Sequence, residues 1–328
     1  MRLFPKWAAV MGVFALMAAP AVSFATSCTT QSEMTSQDRD ALASAGQRFA
    51  VALEQQDLGT LQAALLPAVA AQWDGIRGAI EQGAPLVKGG QVQMRSLYLL
   101  DASSQTAPAD AQFFCTNSTA SMTVTISMRQ LPPGKYALVL ADAAGAPLAG
   151  QMGLILGWDA NAWKLGGVFM RAGMLGGHDG VWYWQQARQL ATSNAPWAAY
   201  YSYEAARYLL VPVDFLSSPN LEKLDQEQSQ LTGSPAQAFP YTVTVGDRTW
   251  KIDGMRFDPA LREADLGVTY ESAGVTDLAA QRTEAIAVLG ALLKAQPGLR
   301  QSFHGMWAYA SVGGSITPVM ELPMGQIP

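Results

Sequence analysis

The chain carries two histidines, and each is the natural starting point for chemistry. His178 sits in GGHDGVWYWQQAR, residues 176–188, beside Asp179, between glycines and ahead of three aromatic residues. A histidine with a neighbouring acid could act as a general base oriented by a carboxylate. Side chains of adjacent residues diverge, however, so Asp179 has a second reading as the N-cap of a helix starting at Gly180 or Val181. His178 would then be an exposed residue between two folded units. His304 falls in an alternating stretch, Ser302–Ala310, on the side away from Phe303, Trp307 and Tyr309. It reads as a satisfied or solvent-facing strand histidine. The two imidazoles belong to different segments and the two cysteines are reserved for each other, so no metal site and no cofactor is expected. Gly313-Gly314-Ser315 lacks the second glycine and the helix of a nucleophile elbow, and no phosphate loop or dinucleotide fingerprint occurs. Glu204, Asp214, Glu222 and Asp225 are spaced like a solvated helix surface.

The N-terminal residues describe export. Arg2 and Lys6 precede the apolar run Trp7–Val22, with Pro20 near its end and Ser23-Phe24-Ala25 behind it. That is the pattern of a secretory signal peptide over 1–25, cleaved after Ala25. The alternative is a membrane anchor, but the run is shorter than the roughly 20 residues a spanning helix needs. No span is expected in the mature chain. Lipid attachment at Cys28 would want a branched apolar residue three positions earlier, where Ala25 stands. Cys28 and Cys115 admit a single pairing, and an exported chain matures where thiols oxidise, which predicts a Cys28–Cys115 disulfide. Two unpaired thiols are the alternative. The location implied is periplasmic or secreted, in a bacterial envelope. Cleavage removes two basic residues and no acidic one, taking the formal net charge from −5 to −7. With Lys and Arg scattered, a nucleic-acid partner is not expected.

Helices and strands then follow from periodicity. Residues 26–35 are a polar lead-in. Ser36 can cap a helix presenting Leu42, Ala45, Phe49, Ala52 and Leu53 on one face, ending near Asp57. Pro67 should break the next helical stretch into a short and a longer piece. Six apolar, often alternating segments follow between Val92 and Phe169. Residues 36–170 are therefore an α+β unit of helices and an antiparallel sheet. Phe49-Ala50-Val51-Ala52-Leu53 with Asp57 and Leu61, and the late Trp158…Ala162-Trp163-Lys164-Leu165 hairpin, resemble the NTF2-like, cystatin-like superfamily. The resemblance implies a curved sheet wrapped around a long helix as a cone. Such a cone could hold a small or lipidic ligand, with Trp73, Tyr98, Phe114 and Trp158 as its lining. The superfamily includes enzymes and plain binding modules, so the fold does not choose between them.

Residues 171–179 are glycine-rich and read as a linker. Two amphipathic helices follow within 180–232, the second opened by Pro196 and closed by Pro212. Ala198 and Ala205 stand seven apart ahead of that proline, and the pair is similar to a single tetratricopeptide-type hairpin without a repeat. Trp184, Trp197 and Tyr201 belong to an aromatic cluster on it that serves either as a partner-binding surface or as packing between units. Residues 239–322 read as a small sheet with a covering helix capped by Asp277. The function expected is a non-enzymatic exported binding or envelope-assembly protein. The alternative is a hydrolase or isomerase using a cleft near His178 and Asp179.

Overall fold

The structure, a computed structural model, describes residues 26–117, 122–259, 262–274 and 277–328. The predicted signal peptide, 1–25, lies outside the described residues. The fold is α+β, as the pattern of helices and alternating segments implies. In chain order the first part comprises β1 (Ser27–Thr30), α1 (Ser36–Glu54), α2 (Leu58–Ala63), α3 (Pro67–Ala70) and α4 (Trp73–Val87). The strands β2 (Gln91–Asp101), β3 (Ala109–Asn117), β4 (Met122–Leu131), β5 (Lys135–Ala144), β6 (Gln151–Asp159) and β7 (Ala162–Arg171) complete it. The helix cap lies one residue earlier than expected: Thr35 Oγ1 accepts the Asp38 N–H at 3.1 Å. Pro67 opens α3, so the helical break falls where the proline dictates.

Three layers are built from these elements. The central sheet has the order β1-β2-β5-β6-β7, with antiparallel neighbours throughout. Leu42, Phe49, Leu53 and Ile80 of the helices pack on Leu97, Val139 and Leu154 of one face. The other face, with Leu138, Leu140 and Ile155, packs on Phe113, Val124 and Ile126 of the β3–β4 ribbon. Because β5 and β6 are covered on both sides, they read as near-continuous apolar runs. Helix α1 lies directly on the helical face of the central sheet through Leu42, Phe49 and Leu53. The polar lead-in is also corrected: Ser27–Thr30 pairs with β2, and Cys28 on it bonds to Cys115 of β3. The disulfide therefore joins the edge of the central sheet to the ribbon.

Beyond β7 come β8 (Met174–Leu175), β9 (His178–Asp179), α5 (Gly180–Thr192), α6 (Pro196–Leu210), β10 (Leu216–Ser217) and α7 (Pro219–Ser229). The last part holds β11 (Tyr241–Val245), β12 (Arg248–Asp258), β13 (Asp265–Glu271), α8 (Leu278–Ala295), α9 (Gly298–Ser302), β14 (Gly305–Val312) and β15 (Ser315–Pro323). The stretch 171–179 is not an open linker. β8 and β9 form a hairpin whose turn residues Gly176 and Gly177 sit at φ +55° and +78°, a region that favours glycine. After α6 the chain returns to the ribbon, where β10 pairs with β4. The helical pair shares one core with the C-terminal sheet: Trp197 and Tyr201 lie in the same cluster as Val243, Ile252, Leu266 and Leu289.

The C-terminal sheet has the order β11-β12-β13-β14-β15, with β13 and β14 parallel and connected through α8. β15 escapes the sequence reading because Pro318 and Pro323 lie in it. Proline is tolerated in a strand at a sheet edge, and β15 is such an edge. His304 precedes β14 instead of lying within a strand.

The disulfide closes a loop with a sequence separation of 87 residues. Chain entropy assigns such a closure about 4–5 kcal/mol before native strain. Replacing both cysteines with serine should lower unfolding stability by about 2–4 kcal/mol in urea titrations. An unchanged midpoint would mean that the bond adds nothing to the native state.

Candidate functional site

His178 and Asp179 make separate contacts in the structure. Asp179 Oδ1 accepts the Trp182 N–H at 2.8 Å and caps α5. The imidazole stacks on the Trp182 indole, with ring centroids 3.6 Å apart and planes 8° from parallel. Tyr183, the other polar ring nearby, donates its hydroxyl to the Leu175 carbonyl. Burial, reinforced by the Glu263 charge, pushes that phenol up to about 12. Asp179 and Tyr183 are thus both engaged in holding the hairpin and the start of α5.

The aromatic helices divide by burial. Trp197 and Tyr201 are buried in the core shared with the C-terminal sheet, and Trp197 meets Tyr241 edge-on at 4.9 Å. Neither presents a face to a partner in this state. Trp184 is half-buried and donates Nε1–H to Glu227 Oε2 at 2.8 Å, while Arg188 covers its ring at 4.4 Å. Arg188 also grips Glu227 through two N–H groups at 2.8 and 2.9 Å. The Arg188 hydrogen bond, ahead of those from Trp184 and Tyr203, holds the Glu227 carboxyl below its usual range, against a smaller opposing effect of burial. This cluster fixes α7 to α5.

The four residues expected to line a cone are not brought together. Trp73 packs on the helical side of the central sheet and Tyr98 on the ribbon side. Tyr98 borders a cavity of about 520 Å³ that also touches Arg39, Arg95 and Cys115. Phe114, 62% exposed, borders a separate cavity on the ribbon's outer side. Trp158 is 45% exposed and meets Trp163 edge-on.

A larger cleft, about 1100 Å³, lies between the β11–β12 hairpin and α8. Thr242, Thr249, Lys251, Ser272 and Thr283 line it, with the small Ala280 and Ala287 of α8 leaving room. At its floor Glu284 is buried. Its Oε1 accepts from Trp250 Nε1 at 3.0 Å and its Oε2 from Ser272 Oγ at 2.6 Å. A buried carboxylate with donors on both oxygens is satisfied, which makes it a fixed part of the wall.

His304 is a satisfied histidine, one of the two readings expected of it, although it precedes β14 instead of lying within a strand. Its Nδ1 stands 3.0 Å from Oδ1 of Asp265, which opens β13 and is 0% exposed. Backbone bonds hold His304 on both sides: its N–H donates to Ala264 O at 2.9 Å, and its C=O accepts from Met324 N–H at 2.8 Å. Glu321 of β15 joins them, so that one ligand-type atom from each residue lies within 4.8 Å of the others. Asp265 Oδ2 and Glu321 Oε1 are buried with no hydrogen-bond partner. The Trp307 indole N–H faces Asp265 at a geometry short of a hydrogen bond. Burial, partly offset by His304, pushes the Asp265 carboxyl up, and burial followed by the Asp265 charge does the same to Glu321. Leaving a buried acceptor unpaired costs about 1–3 kcal/mol, more for a charge. Sequence reasoning missed this cluster because Asp265 and Glu321 are brought to His304 only by the parallel β13–β14 pairing and by β15.

Comparison of the chain with protein-family models, curated proteins and solved structures returned no match.

Two outcomes check these assignments. Asp179→Ala should cost about 1 kcal/mol in chemical denaturation, and Asp179→Asn should retain most of the cap. A depressed Glu227 contributes stability that is fully present above the unfolded value near 4.3 and is lost as pH falls through the folded one. Melting temperature should therefore fall less steeply between about pH 5 and 3 in Glu227→Gln than in the parent chain; superimposable profiles would remove Glu227 from the acid response.

Proposed function

We propose that this is an exported, non-enzymatic binding protein that takes up an extended peptide segment of an envelope partner along β11. The observation that carries the reading is the cleft beside an edge strand. Among the described residues β11 is the end of its sheet. Val245 pairs with Arg248 across a two-residue turn, so the ladder's alternation directs the N–H and C=O of Thr242 and Thr244 away from β12. Outward backbone groups on an edge are what an added strand uses for affinity, and the adjoining groove supplies specificity. The threonines, Lys251 and the exposed Val245 give that groove mixed polarity. The disulfide suits an oxidising compartment, and no helix of the described residues is long and apolar enough to cross a membrane. The packing of α1 on the central sheet favours this cleft over the N-terminal part as the ligand's place.

A photocrosslinking residue at Thr242 or Thr283, challenged with envelope extract, should give discrete peptide-bearing adducts, and one at Gln62 should not. Thr242→Pro removes only an outward N–H, so it should leave the melting temperature nearly unchanged and abolish the adduct formed from position 283. Adducts insensitive to that proline would rule out strand addition.

A further inference from the structure

We propose that Asp265, His304 and Glu321 bind one first-row divalent cation of the zinc type. The inference is independent of the strand-addition reading and concerns the start of β13, at the far end of that strand from Ser272 and the cleft. Three observations converge on it. One nitrogen and two carboxylate oxygens lie within 4.8 Å of one another. Asp265 is wholly buried, with Oδ1 against the imidazole and Oδ2 without a partner, and Glu321 directs a buried, unpartnered Oε1 into the same space. The residue between them is glycine: a Cβ on Gly305 would stand 2.6 Å from Glu321 Oε1 and 3.1 Å from Asp265 Oδ1. A side chain there would occupy the position from which a cation reaches both acids.

The donor set defines the ligand class. Imidazole nitrogen with carboxylate oxygen suits zinc and its first-row neighbours, whereas calcium and magnesium favour all-oxygen shells with more ligands. Ligand atoms around tetrahedral zinc stand about 3.3 Å apart for bonds of about 2.0–2.1 Å. The Asp265–His304 spacing is already near that value, and Glu321 closes the remainder by side-chain rotation. Nδ1 is the coordinating nitrogen, since it is the one that faces Asp265. The backbone bonds to Ala264 and Met324 fix the histidine before any ion arrives. With 43% of the His304 side chain exposed, an ion can enter from solvent, and three protein ligands leave a coordination position for water.

Titration calorimetry of the chelator-stripped full-length protein with zinc chloride tests the assignment. One equivalent should bind, and saturating zinc should raise the melting temperature. His304→Gln and Glu321→Gln act on side chains that are not wholly buried. Each should still fold, with its melting temperature no longer raised by saturating zinc, and bind zinc about a hundredfold more weakly. His178→Ala should bind like the parent. Cobalt(II) gives a second readout, as visible absorption bands present in the parent and lost in His304→Gln. Parent protein that takes up no zinc at about 100 µM, unchanged affinity in either glutamine variant, or loss of binding in His178→Ala would each overturn the proposal.

Discussion

Helix α6 is enclosed on nearly every side, and the arrangement of the rest of the molecule depends on that enclosure. Its alanines, Ala198, Ala199, Ala205 and Ala206, are buried and let neighbouring elements approach, while Trp197, Tyr201 and Tyr203 fill the wider gaps. A helix buried all round cannot be an appendage. Its last turn is held by the N-terminal half: the buried Gln151 amide of β6 donates to Leu209 O at 2.6 Å and to Ala172 O at 3.2 Å. The amide oxygen of that side chain accepts from Arg95 at 2.9 Å. One glutamine thus satisfies a free carbonyl at the helix end and binds the central sheet to the core of the C-terminal sheet.

Much of this was legible in the residues. Alternation located the six strands from β2 to β7 within three residues, and both aspartate caps, Asp179 and Asp277, stand where helix-start chemistry puts them. What the pattern did not carry was pairing. Ser27–Thr30 is too polar to announce a strand, yet it lies on the sheet because Cys28 and the β2 ladder hold it there. Leu216–Ser217 is only two residues long, and its partner on β4 is distant in sequence. Prolines concealed β15. The candidate sites suffered most from this, since Asp265, His304 and Glu321 share no motif and meet only through tertiary geometry.

Two kinds of buried carboxylate distinguish the ends of β13. Glu284, near its C-terminal end, has donors on both oxygens from Trp250 and Ser272, and so contributes fixed shape to the cleft wall. Asp265, at its N-terminal end, meets one imidazole and an orphaned glutamate oxygen. Hydrogen-bond completeness separates a structural acid from one that awaits a positive charge. Neither distinction follows from residue type or from burial alone.

The return of the chain from α6 to β10 has a consequence for synthesis. The ribbon's third strand is supplied only after both helices have been made, and Val213 and Phe215 then join the core between ribbon and central sheet. The amino-terminal half therefore cannot complete its packing while the following helices are still being synthesised. Contacts so far apart along the chain must wait for loop closure. The core between ribbon and central sheet is thus completed only once residues 213–217 are available.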